Sequence, residues 1–314
     1  MTSKKISVVI PAYNEAAVID IPIKRCLNAF EIYGYNGEII IMDSSTDDTP
    51  KIATALGAKV VTTEKKGIGK AYIDALDHVS GDYIIMGDAD GTYDFMEMNK
   101  FVSLLDEGYD FVMGSRLRGD IKKGAMPWSH RYIGTPILTF FINLFYGTKI
   151  SDCNSGLRAL TKKTYSAMNL QSLGWEYASE MVLKASRLNL SITEVPISLS
   201  PDQRNRTPHL NPWLAGYTNL RLIFMLVCDK LCLQLGSWFF IIGSLITIPL
   251  FFGPFVIKGI YFGMFYMFIG LILALLGIQL CIASLITKEA TFLKNFQTTS
   301  LLHKVFKKLS FEKS

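Results

Sequence analysis

Between Lys230 and Lys258 the sequence carries no charged residue, and Gly259 to Thr287 is uncharged as well. A helix needs about 20 apolar residues to cross a bilayer, and Ser237 to Ile257 alone supplies 21. Two such runs, parted only by Lys258, predict a hairpin of two membrane spans; a helical hairpin buried in a soluble core is the competing reading. The tail beyond Thr287 holds six lysines against two glutamates, and positive charge favours the cytoplasmic side. The tail and everything before the first span are therefore expected in the cytosol. The short run Ile6 to Ile10, closed by Pro11, is too brief for a signal peptide. Just before the hairpin, Trp213 to Leu226 sets aromatic and aliphatic residues beside Arg221, a pattern that suits a helix in the headgroup plane or one packed on the preceding domain.

Composition narrows the partners. The 314 residues are 50% hydrophobic and 19% charged, against about 25% charged in soluble domains. The net charge is +5, without the dense basic runs of a nucleic-acid binder, which excludes that class. The five cysteines are scattered and odd in number, which fits reduced thiols and neither a disulfide framework nor a zinc site.

From Ile6 to about Leu199, short branched runs alternate with helical patterns. The segments 6–10, 38–42, 59–63, 82–86 and 110–114 read as buried strands, and 16–33, 47–56, 70–79 and 95–107 as helices. Such alternation predicts a mostly parallel α/β sheet covered on both faces, with ligand loops at the carboxyl ends of its strands.

The strongest chemical signal is Gly87-Asp88-Ala89-Asp90-Gly91-Thr92, directly after an apolar strand. Residues two apart in an extended segment point the same way, so Asp88 and Asp90 can face one hard divalent cation, Mg²⁺ or Mn²⁺; an acidic pair that merely caps a turn is the alternative. Two earlier strands end in Pro11-Ala12-Tyr13-Asn14-Glu15 and in Asp43-Ser44-Ser45-Thr46-Asp47-Asp48-Thr49. Gly67-Ile68-Gly69-Lys70 invites a phosphate-loop reading but is not a Walker A motif, because Glu64 and Ala71 stand where Gly and Ser/Thr are required; an ordinary turn is equally compatible.

With KKGIGKAY, the GSR at 114–116, SDCNSGLRAL, SEMVLKA and EVPISL, these motifs resemble the family 2 glycosyltransferases of the GT-A fold. The likeness runs from about Ile6 to His209, and is greatest to polyprenyl-phosphate sugar synthases of the dolichyl-phosphate mannose synthase type. It implies a GT-A nucleotide-sugar-binding domain followed by two transmembrane helices. Pro11, Ala12, Tyr13 and Glu15 match the loop that holds the donor nucleotide, and Asp43 the acid that meets its base or ribose. Asp88, Ala89 and Asp90 match the segment at the diphosphate and metal. Thr92 stands where mannose synthases tend to carry an amide ligand, and Met42 where the family often has another acid. Arg116 and Arg131 match acceptor-phosphate contacts and, with Asp90, form the implied catalytic set; Arg204 matches an arginine near the leaving diphosphate. Arg118 reads as solvated; Arg206, like Arg204, lies shortly before the membrane stretch, where a planar guanidinium suits phosphate oxygens; Glu180 reads as a supporting acid or an exposed helix charge, and His130 and His209 as structural.

The activity so implied is inverting transfer of one sugar from a nucleotide-diphosphate sugar, GDP-mannose or a UDP-hexose, to dolichyl or undecaprenyl phosphate at the cytosolic membrane face. A glycolipid or growing glycan as acceptor is a second reading, and a non-catalytic membrane-tethered sugar-nucleotide binder a third. The expected organisation is a cytosolic catalytic domain (1–211), an interfacial or juxtamembrane helix (212–235), a two-span hairpin (236–287) and a basic cytosolic tail (288–314). Association of identical chains is left open.

Overall fold

Ile6–Ala12 (β1) can be buried on both faces, since Ile6, Val8, Val9 and Ile10 are all apolar and at most 1% exposed. It lies inside a seven-stranded sheet in a computed structural model that describes residues 4–204 and 212–295. β1 pairs in parallel with Gly37–Asp43 (β2) on one side and Tyr83–Met86 (β4) on the other, while Lys59–Thr62 (β3) continues beyond β2. The chain thus builds outward from β1 in one direction and then returns to its other side. That reversal opens a crevice at the carboxyl ends of β1 and β4, where α/β sheets place their ligands.

The far half of the sheet adds Phe111–Ser115 (β5), Arg158–Thr161 (β6) and Ile192–Pro196 (β7), in the order β4-β6-β5-β7. β6 runs antiparallel to both neighbours, while β7 is parallel to β5. Neither β6 nor β7 is among the five strands expected from periodicity; four residues of RALT carry too little pattern.

The connecting helices are Asp20–Tyr33 (α1), Thr49–Ala55 (α2), Ile68–Ala75 (α3), Met98–Asp106 (α4), Thr135–Tyr146 (α5), Lys162–Met168 (α6) and Tyr177–Arg187 (α7). The helix expected from Ala16 begins four residues later. The segment before it is held in a turn by side chains of the β2–α2 loop: Glu15 N–H donates to Thr49 Oγ1 (2.8 Å) and Ala16 N–H to Asp47 Oδ2 (3.2 Å). α5 buries Leu138, Thr139, Ile142 and Tyr146, yet also exposes Ile137, Phe140 and Leu144 at 48%, 60% and 60%.

The chain divides into two compact units, Met1–Ile223 and Phe224–Ser314. Residues Pro212–Phe251 form one helix (α8), so the juxtamembrane stretch and the start of the first apolar run share an element. The run read as spanning to Ile257 leaves the helix at Phe251. Phe255–Ile257 (β8) and Ile260–Phe262 (β9) instead pair as a hairpin, before Met264–Asn295 (α9). Its two-residue turn, Lys258 (φ 49°) and Gly259 (φ 81°), has both φ values positive, as the twist of a tight hairpin requires. Leu231–Phe251 and Met264–Ile286 are long and apolar enough to cross a membrane, and little of either is buried against protein. α8 and α9 touch through glycines: a Cβ on Gly243 would stand 2.5 Å from the Gly270 carbonyl oxygen, and one on Gly277 2.6 Å from that of Gly236. Such close approach lets helix backbones pack without the hydrophobic driving force that water provides.

Candidate active site

Two loops at the crevice are braced against one another before any ligand is considered. Asn14 adopts φ 55°; its N–H donates to Ser45 Oγ (2.7 Å) and its Oδ1 accepts from Thr46 N–H (2.8 Å). The Ser-Thr-Asp turn after β2 therefore splints the loop that carries Tyr13 and Glu15. Asp43 closes β2 from a buried position; its Oδ2 accepts from Ser45 N–H (3.3 Å), while Oδ1 has no hydrogen-bond partner among the described residues. Its neighbours Met42 and Ser44 line the crevice, Asp43 does not.

The crevice is a cavity of about 900 Å³, lined by Pro11, Ala12, Tyr13 and Glu15 from the end of β1, by Asp88, Ala89, Asp90 and Thr92 after β4, and by Arg116 after β5. Desolvation, and then the Asp90 carboxylate, push the Asp88 carboxyl up to about 7, against the pull of Arg116, Arg204 and Arg158. Asp90 is held by Thr92, whose N–H (3.0 Å) and hydroxyl (2.7 Å) both donate to Oδ1. Thr92 thus spends its proton on Asp90 and fixes the orientation of that carboxylate, while its hydroxyl oxygen keeps its lone pairs. The residues fit a divalent cation. Two hard carboxylate oxygens completed by substrate phosphates are the usual protein share of a Mg²⁺ or Mn²⁺ site.

Cations crowd the same space. Arg204 donates to Glu15 Oε1 (3.0 Å), Asp90 Oδ2 (3.3 Å) and both oxygens of Asp202, joining the two acidic loops. Burial opposes its charge, but Asp202, Asp90 and Glu15 raise its pKa. Arg116 is gripped by Asp152: Nε to Oδ2 at 2.7 Å, Nη2 to Oδ1 at 2.8 Å, and the backbone N–H to Oδ2 at 3.1 Å. Asp152 is fully buried, and its own N–H and that of Ser151 donate to Glu194 on β7. Nη1 of Arg116 makes no hydrogen bond among the described residues, so one edge of the guanidinium stays available to the cavity.

Arg131 departs from expectation. It is exposed, stacks on Tyr132 at 5.4 Å, and does not line the cavity with Arg116. His130 beside it does line the wall, and burial and then Arg116 lower its pKa, so the imidazole is neutral at physiological pH. The turn points one of two adjacent residues inward, and it is the histidine. Glu180 is buried, not exposed, accepting from Gln171 and Ser172 N–H and pairing with Lys184 at 2.8 Å. Arg118 faces Glu194 at 3.8 Å; Arg206 and His209 lie outside the described residues.

Gly67 and Gly69 serve a close approach. A Cβ on either would stand 2.3 Å from Leu173 O or 2.1 Å from Ser172 O, so the start of α3 lies against the 172–173 backbone. Lys70 pairs with Asp74, and its N–H donates to Leu173 O. Sequence reasoning missed Asp152, Arg158, Asp202 and Lys65, which sits 3.5 Å over the Tyr13 ring. Only the SDCNSGLRAL run hinted at the first two, as a carboxylate and an arginine stranded among small and apolar residues.

Residues 7–167 match glycosyl transferase family 2. The chain belongs to that family. The low-salt glycan biosynthesis hexosyltransferase Agl6 of Haloferax volcanii is 43% identical over 71% of this chain and 53% of its own length, so the chain spans about half of that relative. Glycosyltransferase AglJ of the same organism is 32% identical over 67% of this chain and 68% of AglJ. The UDP-N-acetylglucosamine–dolichyl-phosphate N-acetylglucosaminyltransferase of Methanococcus voltae is 28% identical over 76% of this chain and 99% of that protein. Among solved structures, glucosyl-3-phosphoglycerate synthase from Mycobacterium tuberculosis, in complex with Mn²⁺, UDP and glucosyl-3-phosphoglycerate, matches with TM-score 0.58 and 24% identity. The match covers 72% of this chain and 80% of that one, and shows the common GT-A-like fold.

Proposed function

We propose that this chain transfers a single hexose from a nucleotide-diphosphate sugar to a polyprenyl phosphate, with inversion, at the cytosolic face of a membrane. The observation that carries the reading is the make-up of one cavity. Its acids lie on the loops after β1 and β4, Arg116 and Arg204 line it with them, and its remaining wall includes His130, Gly134, Thr135 and Leu138 from the segment that exposes Ile137, Phe140 and Leu144. A soluble acceptor has no use for an apolar face beside the site; a lipid does. The name of the Methanococcus relative, and that of a dolichyl-phosphate hexose transferase of Haloferax volcanii 28% identical over 68% of this chain and 90% of its own length, support the same acceptor.

Asp88 and Asp90 would hold Mg²⁺ or Mn²⁺, which supplies charge neutralisation at a departing nucleoside diphosphate. Glu15 and Tyr13, splinted by the turn after β2, border the space for the nucleotide, with Asp43 Oδ1 behind it. Arg116 orients the acceptor phosphate through its open edge while Asp152 fixes the guanidinium plane. A phosphate monoester is ionised near neutral pH, its second pKa being about 6. Placing its oxygen in line with the anomeric carbon is therefore the main task, and no general base is required. Arg131, on the turn beside the cavity wall, meets the phosphate of an approaching lipid before Arg116 does.

The test incubates membranes with labelled nucleotide sugars and polyprenyl phosphate, with and without a chelator, and then extracts lipid. Label in a monophosphate-linked lipid, lost on chelation, is the expected result; label found only in water-soluble product overturns it. Agl6, a glycan biosynthesis hexosyltransferase by name, favours a second reading in which the acceptor is a lipid-borne glycan. The same extract decides, because the label then sits on a multi-sugar lipid.

A further inference from the structure

Arg158 is only 2% exposed, one of the largest buried side chains among the described residues. Its guanidinium donates to three carbonyls, from Nε to Ser155 O (2.7 Å), from Nη1 to Ala178 O (2.7 Å) and from Nη2 to Cys153 O (2.6 Å). Arg116, Arg118 and Arg204 each face a carboxylate, but Arg158 has none within ion-pair distance among the described residues. Burying a charge without a counter-ion is costly, and an apolar side chain of the same volume fills such a space more cheaply. Packing alone therefore does not account for an arginine here.

Its position does. On β6 it is in register with Met86 on β4, two residues before Asp88, and it borders the cavity. Neighbouring Gly156 packs so tightly that a Cβ there would stand 2.7 Å from Asp88 Oδ2. The carbonyl bonds join the 153–155 segment to Ala178 in the first turn of α7. Ser155, held in this way, is itself buried, lines the cavity, and has a hydroxyl with no partner among the described residues. A divalent cation offsets only half of the negative charge that two carboxylates and a sugar diphosphate bring together. Arg116 is already neutralised by Asp152 and Arg204 is shared among three acids. Lys65, exposed over the Tyr13 ring, and Arg158 are the lining lysine and arginine left without a carboxylate among the described residues, and of the two only Arg158 is buried, in a medium where a fixed charge acts over a longer distance than in water.

We propose that Arg158 is a positioning residue of the donor site, its uncompensated guanidinium favouring a nucleoside diphosphate over a neutral nucleoside while it holds Ser155 in the cavity wall. The inference rests on the donor-site reading above and assigns the preference for the diphosphate to one buried charge. The 314-residue chain in detergent with Mn²⁺ is titrated calorimetrically with UDP, GDP, uridine and guanosine, for the wild type, R158Q, R158M and R158K. R158Q and R158M are expected to weaken binding of the preferred diphosphate about tenfold or more while nucleoside binding stays within about twofold, and R158K to recover most of the loss. R158M conserves volume and keeps the test open where R158Q does not fold; R158K tests the charge in a third background. Equal loss for diphosphate and nucleoside, or no recovery in R158K, shows a purely structural tie and overturns the proposal. A wild type that binds neither diphosphate overturns the donor-site reading, and this inference with it.

Discussion

Asp90 and Arg116 reach the cavity in different ways, and their variants should differ accordingly. Asp90 sits on a loop, bonded to Thr92 and Arg204. D90N keeps its shape and removes its charge, so transfer is expected to fall about a hundredfold or more while the melting temperature moves by only a few degrees; near-normal metal-dependent turnover would remove Asp90 from the cation. Arg116 is locked to a fully buried acid, so R116A leaves Asp152 without its partner and should cost both activity and stability. R116K keeps charge without the fork, and its kcat/KM for polyprenyl phosphate should stay about tenfold below wild type. R131A, from an exposed position, should lose less than R116A in acceptor kinetics and nothing measurable in stability. Equal kinetic losses for the two would show that Arg131 turns inward when substrate binds.

The elements are tied to one another by a few groups whose removal is measurable. At the amino ends of β1 and β2, Glu38 accepts from Ser7 Oγ and from the N–H and hydroxyl of Ser80, with Lys5 at 3.5 Å. Against the cost of burial, these bonds and then the Lys5 charge bring its carboxyl from 4.5 down to about 2. The depressed value means that Glu38 contributes stability in full above its unfolded pKa, and loses it as pH falls from about 4.5 through 2. E38Q should therefore cost about 1 to 2 kcal/mol at neutral pH, allowing for partial exposure, with the gap closing toward pH ~2. Thermal melts of both forms across that range check it; a constant gap would mean that shape and not charge is at stake. At the start of α3, Gly69 permits contact with the 172–173 backbone, and G69A should destabilise by about 1 to 3 kcal/mol because carbonyl oxygen cannot yield as a flexible side chain does. A variant melting like wild type would show that the loop moves freely.

At the scale of the whole molecule, the chain divides into two compact units. A chain ending at Ile223 retains every described residue of the cavity. It should bind donor within about threefold of the 314-residue chain and, on the proposed reading in which the two apolar helices hold enzyme and lipid in one plane, lose about tenfold or more in kcat/KM for long-chain polyprenyl phosphate. Equal loss of both would show that the spans are needed to form the site. The two long apolar helices, the strand and helix alternation as far as β5, and the placing of Asp88 and Asp90 at a strand end were all legible from residue order. Each depends on local composition and period, on which water and hydrocarbon act directly. Partnerships were not legible. Arg116 meets Asp152 across 36 residues and Arg204 meets Glu15 across 189. Four-residue β6 is a strand only because β4 and β5 flank it, and adjacent His130 and Arg131 differ in which of them a single turn faces inward. Composition and periodicity are properties of neighbours along the chain. The direction of a side chain, and the charge that answers it, are properties of neighbours in space, and only the tertiary structure brings those together.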